Sequence, residues 1–473
     1  MPGTSSLFAT AHLAAVTIGL LAYVLATRIG RQRRHPSAAI AWVLAMVAFP
    51  YVGVPLFLLF GTRKMTRPVH RPGTTGPDVG TGALFAPPWA RQLTAGLALP
   101  APCANRRVVL LEEGPAALDA LLALIAGAQE RLDLCTFVFA DDPVGQRVAD
   151  ALLARAARGV RVRVLLDAIG SLETSRGLRR RLAAGGIELR WFMPMLHNPV
   201  HGRSNLRNHR KLVIADGRRL WSGGRNIAAE YFTGRPDAPA WDDLSFVIDG
   251  ALTADACTVF GQDWRLAGGR AEAGLPLLPG PEEVGGGSTQ PVSYESIPAQ
   301  LIPSGPDHAD DTVYAFLLTA VYQAQAGIAL ATPYFVPDDA LLQALMIACR
   351  RGIQVTLLVP HRSNHRLADW ARERALRELA AAGAIIRLVP RMAHAKLVIV
   401  DEAVALCGSV NLDGRSLFLN YELTTAFYGN AEIRVFAQWF ERQSGQAQPY
   451  VLRQPSWSRD IVEGVVRSVA FQL

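Results

Sequence analysis

A histidine, one residue, a lysine, four residues and an aspartate occur twice in this chain. The first copy is His209-Arg-Lys211-Leu-Val-Ile-Ala-Asp216 and the second is His394-Ala-Lys396-Leu-Val-Ile-Val-Asp401. Each is followed by a turn of small residues and an asparagine, Ser222-Gly-Gly-Arg-Asn226 and Cys407-Gly-Ser-Val-Asn411. The Leu-Val-Ile runs read as buried strands, and alternate side chains of a strand share a face. His209 therefore projects with Lys211, and His394 with Lys396. A neutral imidazole is a nucleophile and base near neutral pH, and an ammonium supplies fixed positive charge. Two such pairs facing each other suit a phosphodiester. One histidine attacks phosphorus, the other protonates the leaving oxygen, and the lysines stabilise the equatorial oxygens. Buried strands that merely end in surface charge would give no reason for histidine, lysine, aspartate and asparagine to recur together.

The elements around these residues also repeat. Ala151-Leu-Leu-Ala-Arg-Ala-Ala-Arg-Gly159 matches Ala344-Leu-Met-Ile-Ala-Cys-Arg-Arg-Gly352, each followed by an apolar strand. Arg181-Leu-Ala-Ala-Gly-Gly-Ile-Glu-Leu-Arg190 echoes Glu378-Leu-Ala-Ala-Ala-Gly-Ala-Ile-Ile-Arg387. The period of roughly 190 residues is too long for a solenoid and fits a duplicated domain. Strands at 108–111, 132–139 and 160–166 alternate with helices at 116–130 and 145–157, which predicts an α/β sandwich in each copy. Duplication then implies pseudo-two-fold symmetry with one active site between the lobes. The expected boundaries are apolar segments over 1–64, a Pro/Gly/Thr-rich linker over 65–104, a first lobe over 105–280 and a second over 281–473. A Gly-rich stretch at 280–288 marks the division between lobes.

The repeat brings out two carboxylates beyond the short motif. Trp241-Asp-Asp243 and Asn420-Tyr-Glu422 each open an apolar strand, with the acid seven residues before a glycine, so Asp243 and Glu422 are equivalent. A carboxylate that accepts the Nδ1 proton orients a catalytic imidazole and stabilises its cation. Asp216 and Asp401 lie five residues past their lysines, across an apolar strand. Although formally part of the motif, they are expected on the following turn with a structural hydrogen-bonding role.

At 473 residues the chain is long enough for two lobes and accessories. Its net charge of +8 suits nucleic acid or an anionic membrane surface. The five cysteines, Cys103, Cys135, Cys257, Cys349 and Cys407, are scattered and form no C-x-x-C pair, which argues against a disulfide framework or zinc site. The N-terminus favours the membrane. An apolar run over 7–27 is followed by the basic stretch Arg28-Ile-Gly-Arg31-Gln-Arg33-Arg34-His35-Pro36, and a second apolar run covers 38–60. Because the positive charge follows the first run, it reads as a membrane helix and not as a cleaved signal. Pro50 and Pro55 should kink the second helix, with a re-entrant or interfacial hairpin as the alternative. The basic loop and the cluster Arg63, Lys64, Arg67 both favour the cytoplasmic side, which a spanning second helix would not satisfy and a returning hairpin would.

With its trailing Gly-Gly-x-Asn or Gly-Ser-x-Asn, the doubled motif resembles that of the phospholipase D superfamily. Asn205-Leu-Arg-Asn208-His209-Arg-Lys211, Gly408-Ser-Val-Asn411-Leu-Asp-Gly-Arg415-Ser416 and Thr332-Pro-Tyr334-Phe-Val-Pro337 are similar to bacterial cardiolipin synthases. The resemblance implies a pair of phospholipase D-like lobes and a transfer reaction in which two phosphatidylglycerols become cardiolipin plus glycerol through a phosphatidyl-histidine. By analogy His209 is the nucleophile. The superfamily carries an acid where Asp243 and Glu422 stand, and Asn226 and Asn411 support the phosphate. The stretch Leu388-Val-Pro-Arg-Met-Ala393 departs from relatives, which have a bulky apolar residue before the second histidine. The implied partners are phosphatidylglycerol and anionic lipids at the inner or plasma membrane, with neither nucleic acid, metal nor other cofactor. A hydrolytic phospholipase D shares the intermediate, a nuclease shares the motifs without explaining the apolar segments, and a non-catalytic scaffold does not explain intact residues in both copies.

Overall fold

The two lobes share one continuous sheet. In the computed structural model, residues 3–25, 36–60, 86–194, 205–270, 297–452, 454–457, 459 and 463–464 are described. The first repeat runs β1 (Cys103–Leu111), α5 (Gly114–Gly127), β2 (Arg131–Thr136), α6 (Pro143–Ala156), β3 (Arg161–Asp167), α7 (Arg176–Ala184), β4 (Glu188–Phe192), β5 (Leu212–Ala215), β6 (Arg219–Gly223), β7 (Ser245–Gly250) and α8 (Leu252–Leu266). The second runs β8 (Ile297–Ser304), α9 (Thr312–Gln323), β9 (Gly327–Ala331), β10 (Phe335–Val336), α10 (Asp339–Arg350), β11 (Gln354–Pro360), α11 (Arg366–Ala381), β12 (Ile385–Val389), β13 (Leu397–Val400), β14 (Val404–Gly408), β15 (Leu412–Asp413), α12 (Gly414–Phe418), β16 (Glu422–Phe427), α13 (Asn430–Gln446) and the edge strand β17 (Gln448–Pro449). Before them come α1 (Gly3–Val24), α2 (Pro36–Ala48), α3 (Pro50–Phe60) and α4 (Pro88–Gly96).

The strand order is β17-β12-β11-β9-β13-β14-β16-β8-β1-β7-β6-β5-β2-β3-β4. It is nearly symmetric about its centre: β1 and β8 pair antiparallel there, with Cys103 opposite Ala299, and every strand outward except the edge strand β17 has its counterpart in the other half. The expected pseudo-two-fold relation thus takes the form of a fifteen-stranded sheet, with the lobes joined by backbone hydrogen bonds. β5 and β13 are buried at all four positions. This follows from helices on both faces, a setting that favours continuous apolar runs over alternation. One apolar cluster packs α5, α6 and α7 on the first half-sheet, and another packs α9, α10 and α11 on the second. A third takes residues from α8, α13 and both half-sheets, so the core is continuous across the lobes.

Side chains set several element ends. Asp142 and Asp338 cap α6 and α10, their carboxylates accepting from Gly145 N and Leu341 N. The helix expected over 116–130 stops at Gly127, with Ala128 already extended. The Asp216 carboxylate accepts the amides of Gln129, Glu130 and Arg131 at 2.8–2.9 Å and so holds that segment in strand approach.

The N-terminal apolar run over 38–60 is two helices, α2 and α3, divided at Phe49–Pro50, because proline starts a helix more readily than it continues one. Tyr23 of α1 and Trp42 of α2 both pack on Phe57 of α3, with ring centroids 5.5 and 5.4 Å apart. Among the described residues no helix is long and apolar enough to cross a membrane. The expectation of two membrane-spanning helices is therefore not confirmed among these residues. The basic stretch after α1 (apart from Pro36, which opens α2), most of the linker and the Gly-rich division near 280–288 lie outside the described residues.

Candidate active site between the two repeats

Each histidine stands just before a buried strand, on a segment that pairs with the opposite lobe. His209 N donates to Tyr421 O at 2.8 Å and Tyr421 N to Arg207 O at 2.8 Å. In the mirror arrangement, His394 N donates to Asp242 O at 2.6 Å and Asp242 N to Met392 O at 2.9 Å. Each pairing sets the residue after it, Glu422 or Asp243, beside the histidine of the other repeat. The result is an exchange of carboxylates. His209 Nδ1 lies 3.0 Å from both Glu422 oxygens, and His394 Nδ1 lies 2.6 Å from Asp243 Oδ2. An ionised carboxylate only accepts, so Nδ1 carries the proton and Nε2 is left for chemistry.

The motif glycines permit this approach. A Cβ at Gly223 would lie 2.4 Å from Leu244 O, and one at Gly408 would lie 2.2 Å from Leu423 O. The next position differs between the repeats. A Cβ at Gly224 would meet the Asp243 carboxylate at 2.2 Å, whereas Ser409 uses its hydroxyl to donate to Glu422 Oε2 at 2.5 Å. Asn420 Nδ2 also donates to Glu422, at 3.2 Å.

Lys211 and Lys396 are brought to the same buried space. Lys211 Nζ donates to His209 O at 2.7 Å, and Lys396 Nζ donates to His394 O and lies 2.7 Å from His394 Nδ1. Burial lowers Lys211 to about 7 and Lys396 to about 8. Burial also holds both imidazoles below their ordinary value, against the opposing pull of Glu422 on His209 and of Asp243 on His394. For the two acids burial pushes upward. Lys396 and His394 outweigh it at Asp243, and His209 and Lys211 outweigh it at Glu422, so both stand below the usual carboxylate range. The pocket therefore combines two ionised acids, two imidazoles that burial holds toward the neutral form and two lysines of lowered basicity.

The asparagines are placed differently. Asn226 is satisfied within its lobe, donating to Tyr231 OH at 2.8 Å and accepting from Val138 N at 3.2 Å. Asn411 is buried, and its Oδ1 has no partner among the described residues. Asp216 and Asp401 are not brought to the site. Both sit beyond the far ends of β5 and β13 with φ of 53° and 52°, and the Asp401 carboxylate accepts from Gln325, Ala326 and Gly327 at 2.8–2.9 Å. Although the motif formally includes them, they stand on the turns after their strands: a left-handed turn tolerates aspartate, and the side chain ties that turn to the next strand.

Several residues here escape a motif search. Tyr231 and Trp241 frame His394 with ring centroids 5.1 and 5.4 Å away, while Phe137 meets His209 edge-on at 5.1 Å. Arg210 occupies the unspecified position of the first motif, where the second has Ala395. Fully buried, it donates to Glu422 O at 3.1 Å, Asp263 at 2.6 Å and Asp307 at 3.1 Å, strapping the first repeat to the second. The mismatch of arginine with alanine in otherwise parallel motifs was the available signal.

Comparison with known proteins agrees with this geometry. The family model described as "Cardiolipin synthase, PLD-like domain" matches residues 121–264 and 317–444, and "Phospholipase_D-nuclease N-terminal" matches 15–61. Cardiolipin synthase A of Pseudomonas aeruginosa (strain LESB58) is 32% identical over 458 residues, covering 91% of each chain. Cardiolipin synthase A of Pseudomonas putida is 33% identical over 426 residues, covering 86% of each. Among solved structures, phosphatidylserine synthase of Haemophilus influenzae Rd KW20 shares the fold with a TM-score of 0.61 and 15% identity, over 81% of this chain and all of that one. With paired histidine–lysine motifs, a duplicated sheet and relatives matched over nine-tenths of its length, the chain belongs to the cardiolipin synthase family of the phospholipase D superfamily.

Proposed function

We propose that this protein is a phosphatidyltransferase that joins two phosphatidylglycerols into cardiolipin and glycerol. His209 Nε2 attacks phosphorus of the first lipid, the bond from phosphorus to the glycerol oxygen breaks, and that oxygen takes the Nε2 proton of His394 in its imidazolium form, the minor form at neutral pH, which the Asp243 carboxylate and the anionic lipid favour and the second half-reaction regenerates. His394 Nε2 then takes the proton from a hydroxyl of the second phosphatidylglycerol. That oxygen attacks phosphorus, the phosphorus–nitrogen bond breaks, and His209 is restored. Lys211, Lys396 and the open Asn411 Oδ1 border the reacting group, the lysines balancing its charge. The observation that carries the reading is the crossed arrangement in which each Nδ1 is held by a buried acid of the other repeat. Such an acid stabilises the imidazolium that forms in each half-reaction. The choice of His209 as nucleophile rests on analogy.

The domain division at 65–104 and near 280, and an attachment to the inner or plasma membrane through residues 1–64, belong to the same proposal. It is supported by the apolar helices α1–α3 and the matched N-terminal family model. The test is expression in a host that lacks cardiolipin, followed by lipid analysis. Cardiolipin should appear with the wild-type chain and vanish with His209→Ala or His394→Ala. Either variant keeping more than about a hundredth of the activity would overturn the paired mechanism. Phosphatidic acid in place of cardiolipin would make the enzyme a hydrolase.

A further inference from the structure

Two rim segments border the active site at equivalent places in the repeats, a loop in the first and a loop with the first turn of α11 in the second, and both expose apolar side chains. The first follows β3 and the second follows β11, at the carboxyl ends of parallel strands, the end where His209 and His394 stand. Leu172 on the first loop is 66% exposed, and Leu367 and Trp370 beyond the second are 56% and 55% exposed. Each loop is tied to the site. Ser171 donates to Phe137 O at 2.8 Å, and Phe137 lies against His209. On the other side, Tyr334 OH donates to Asn364 at 2.6 Å and its ring meets His365 at 5.3 Å. Tyr334 is the counterpart of Val138, whose amide donates to Asn226.

The charges beside these apolar groups are mostly positive. Arg176, Arg362 and Arg366 are exposed, as is one acid of the first loop, Glu173. Asp369 is turned inward, accepting from Ser363 N at 2.9 Å and pairing with Arg372 at 3.2 Å. Exposed leucine and tryptophan next to arginine suit the boundary between headgroups and acyl chains, where the rings and alkyl groups enter and the guanidinium groups meet lipid phosphates.

We propose that these paired rim segments dock the active-site mouth onto an anionic phospholipid bilayer, with Leu172 of the first loop and Leu367 and Trp370 of the α11 N-terminus inserted at the interface. This rests on the phosphatidyltransferase reading, since a diacyl substrate must pass from the bilayer to His209 without crossing water. Docking at the mouth brings the phosphodiester to the imidazoles while the acyl chains stay in lipid.

The test uses the full chain reconstituted into vesicles containing phosphatidylglycerol, with Cys103, Cys257 and Cys349 replaced by alanine. A fluorophore is attached at Leu172→Cys, at Leu367→Cys or, as a control at the opposite end of the sheet, at Glu402→Cys. Lipids carrying a nitroxide near the headgroup should quench the labels at 172 and 367 several-fold more than the label at 402. Equal quenching at all three sites, no quenching, or a signal that depends only on protein concentration, as for a second copy, would overturn the proposal. The paired change Leu367→Ser with Trp370→Ser should lower turnover on vesicle substrate roughly tenfold. Turnover on short-chain phosphatidylglycerol dissolved as monomers should stay unchanged, and equal loss on both substrates would refute docking. A wild-type chain that forms no cardiolipin from either substrate would refute the phosphatidyltransferase reading, while the quenching still reports on docking.

Discussion

Replacing Glu422 by glutamine tests the crossed arrangement most directly. The variant keeps side-chain length and a hydrogen-bond acceptor for His209 Nδ1, 3.0 Å away, but removes the negative charge from a fully buried position. At an effective dielectric of about 20, unit charges about 4 Å apart interact by about 4 kcal/mol. The amide dipole retains part of this, so a loss of about 3 kcal/mol in stabilising the imidazolium is expected, equivalent to roughly a hundredfold in turnover. The pH profile carries a second signature. Glu422 opposes the burial that lowers His209, and it likewise supports the ammonium of Lys211. Without that carboxylate both groups lose their protons at lower pH. The acid limb of kcat/KM, where His209 becomes a free nucleophile, and the alkaline limb, where Lys211 loses charge, should therefore both move toward acid. The assay is cardiolipin formation against pH for the wild type, Glu422→Gln and Asp243→Asn, with thermal unfolding as the control for fold. Wild-type turnover and an unmoved profile in both variants would refute the reasoning and leave the two acids a purely structural role.

Further outcomes follow from the same site. Since burial lowers Lys211 to about 7 and Lys396 to about 8, both are ammonium below those values and lose charge as pH rises through them. Accordingly kcat/KM should fall on the alkaline side across that window, and the fall in kcat should lie higher because a bound phosphodiester favours the charged lysine; steady-state kinetics from pH 6 to 9 checks this, these limits being about one unit either side of the window. Asp216→Ala removes three backbone hydrogen bonds and leaves a φ of 53° to alanine, so unfolding free energy should drop by about 2–4 kcal/mol with kcat nearly unchanged. Denaturant titration beside a turnover assay separates that outcome from a catalytic role. Phosphatidylglycerol labelled in its acyl chains should leave an acid-labile, base-stable phosphoramidate that is absent from His209→Ala. Chelation of divalent ions should leave turnover intact, since the lysines carry the countercharge, and loss with EDTA reversed by a metal would contradict that account.

How much of this was legible in the sequence depends on the range of the cause. Local periodicity shows His209 beside Lys211 and His394 beside Lys396, because alternation along a strand is a property of the backbone itself. The repeat aligns Asp243 with Glu422 and foretells pseudo-symmetry, since equivalent segments of similar sequence adopt equivalent structure. The apolar runs of β5 and β13 announce burial on both faces. Longer-range facts were hidden. Nothing in the order of residues says that Glu422 serves His209 and Asp243 serves His394, because that exchange is decided by pairing of Asn208 with Tyr421 and Asp242 with Ala393 across the lobes. The early end of α5 depends on the Asp216 carboxylate, 86 residues beyond Glu130. The union of two lobes into one sheet depends on β1 meeting β8, whose backbone hydrogen bonds carry no side-chain signature. Residue types and spacing thus determined which groups could act on a phosphodiester. Tertiary structure decided which acid orients which imidazole, because hydrogen bonds depend on distances that only the packed lobes bring within 3 Å.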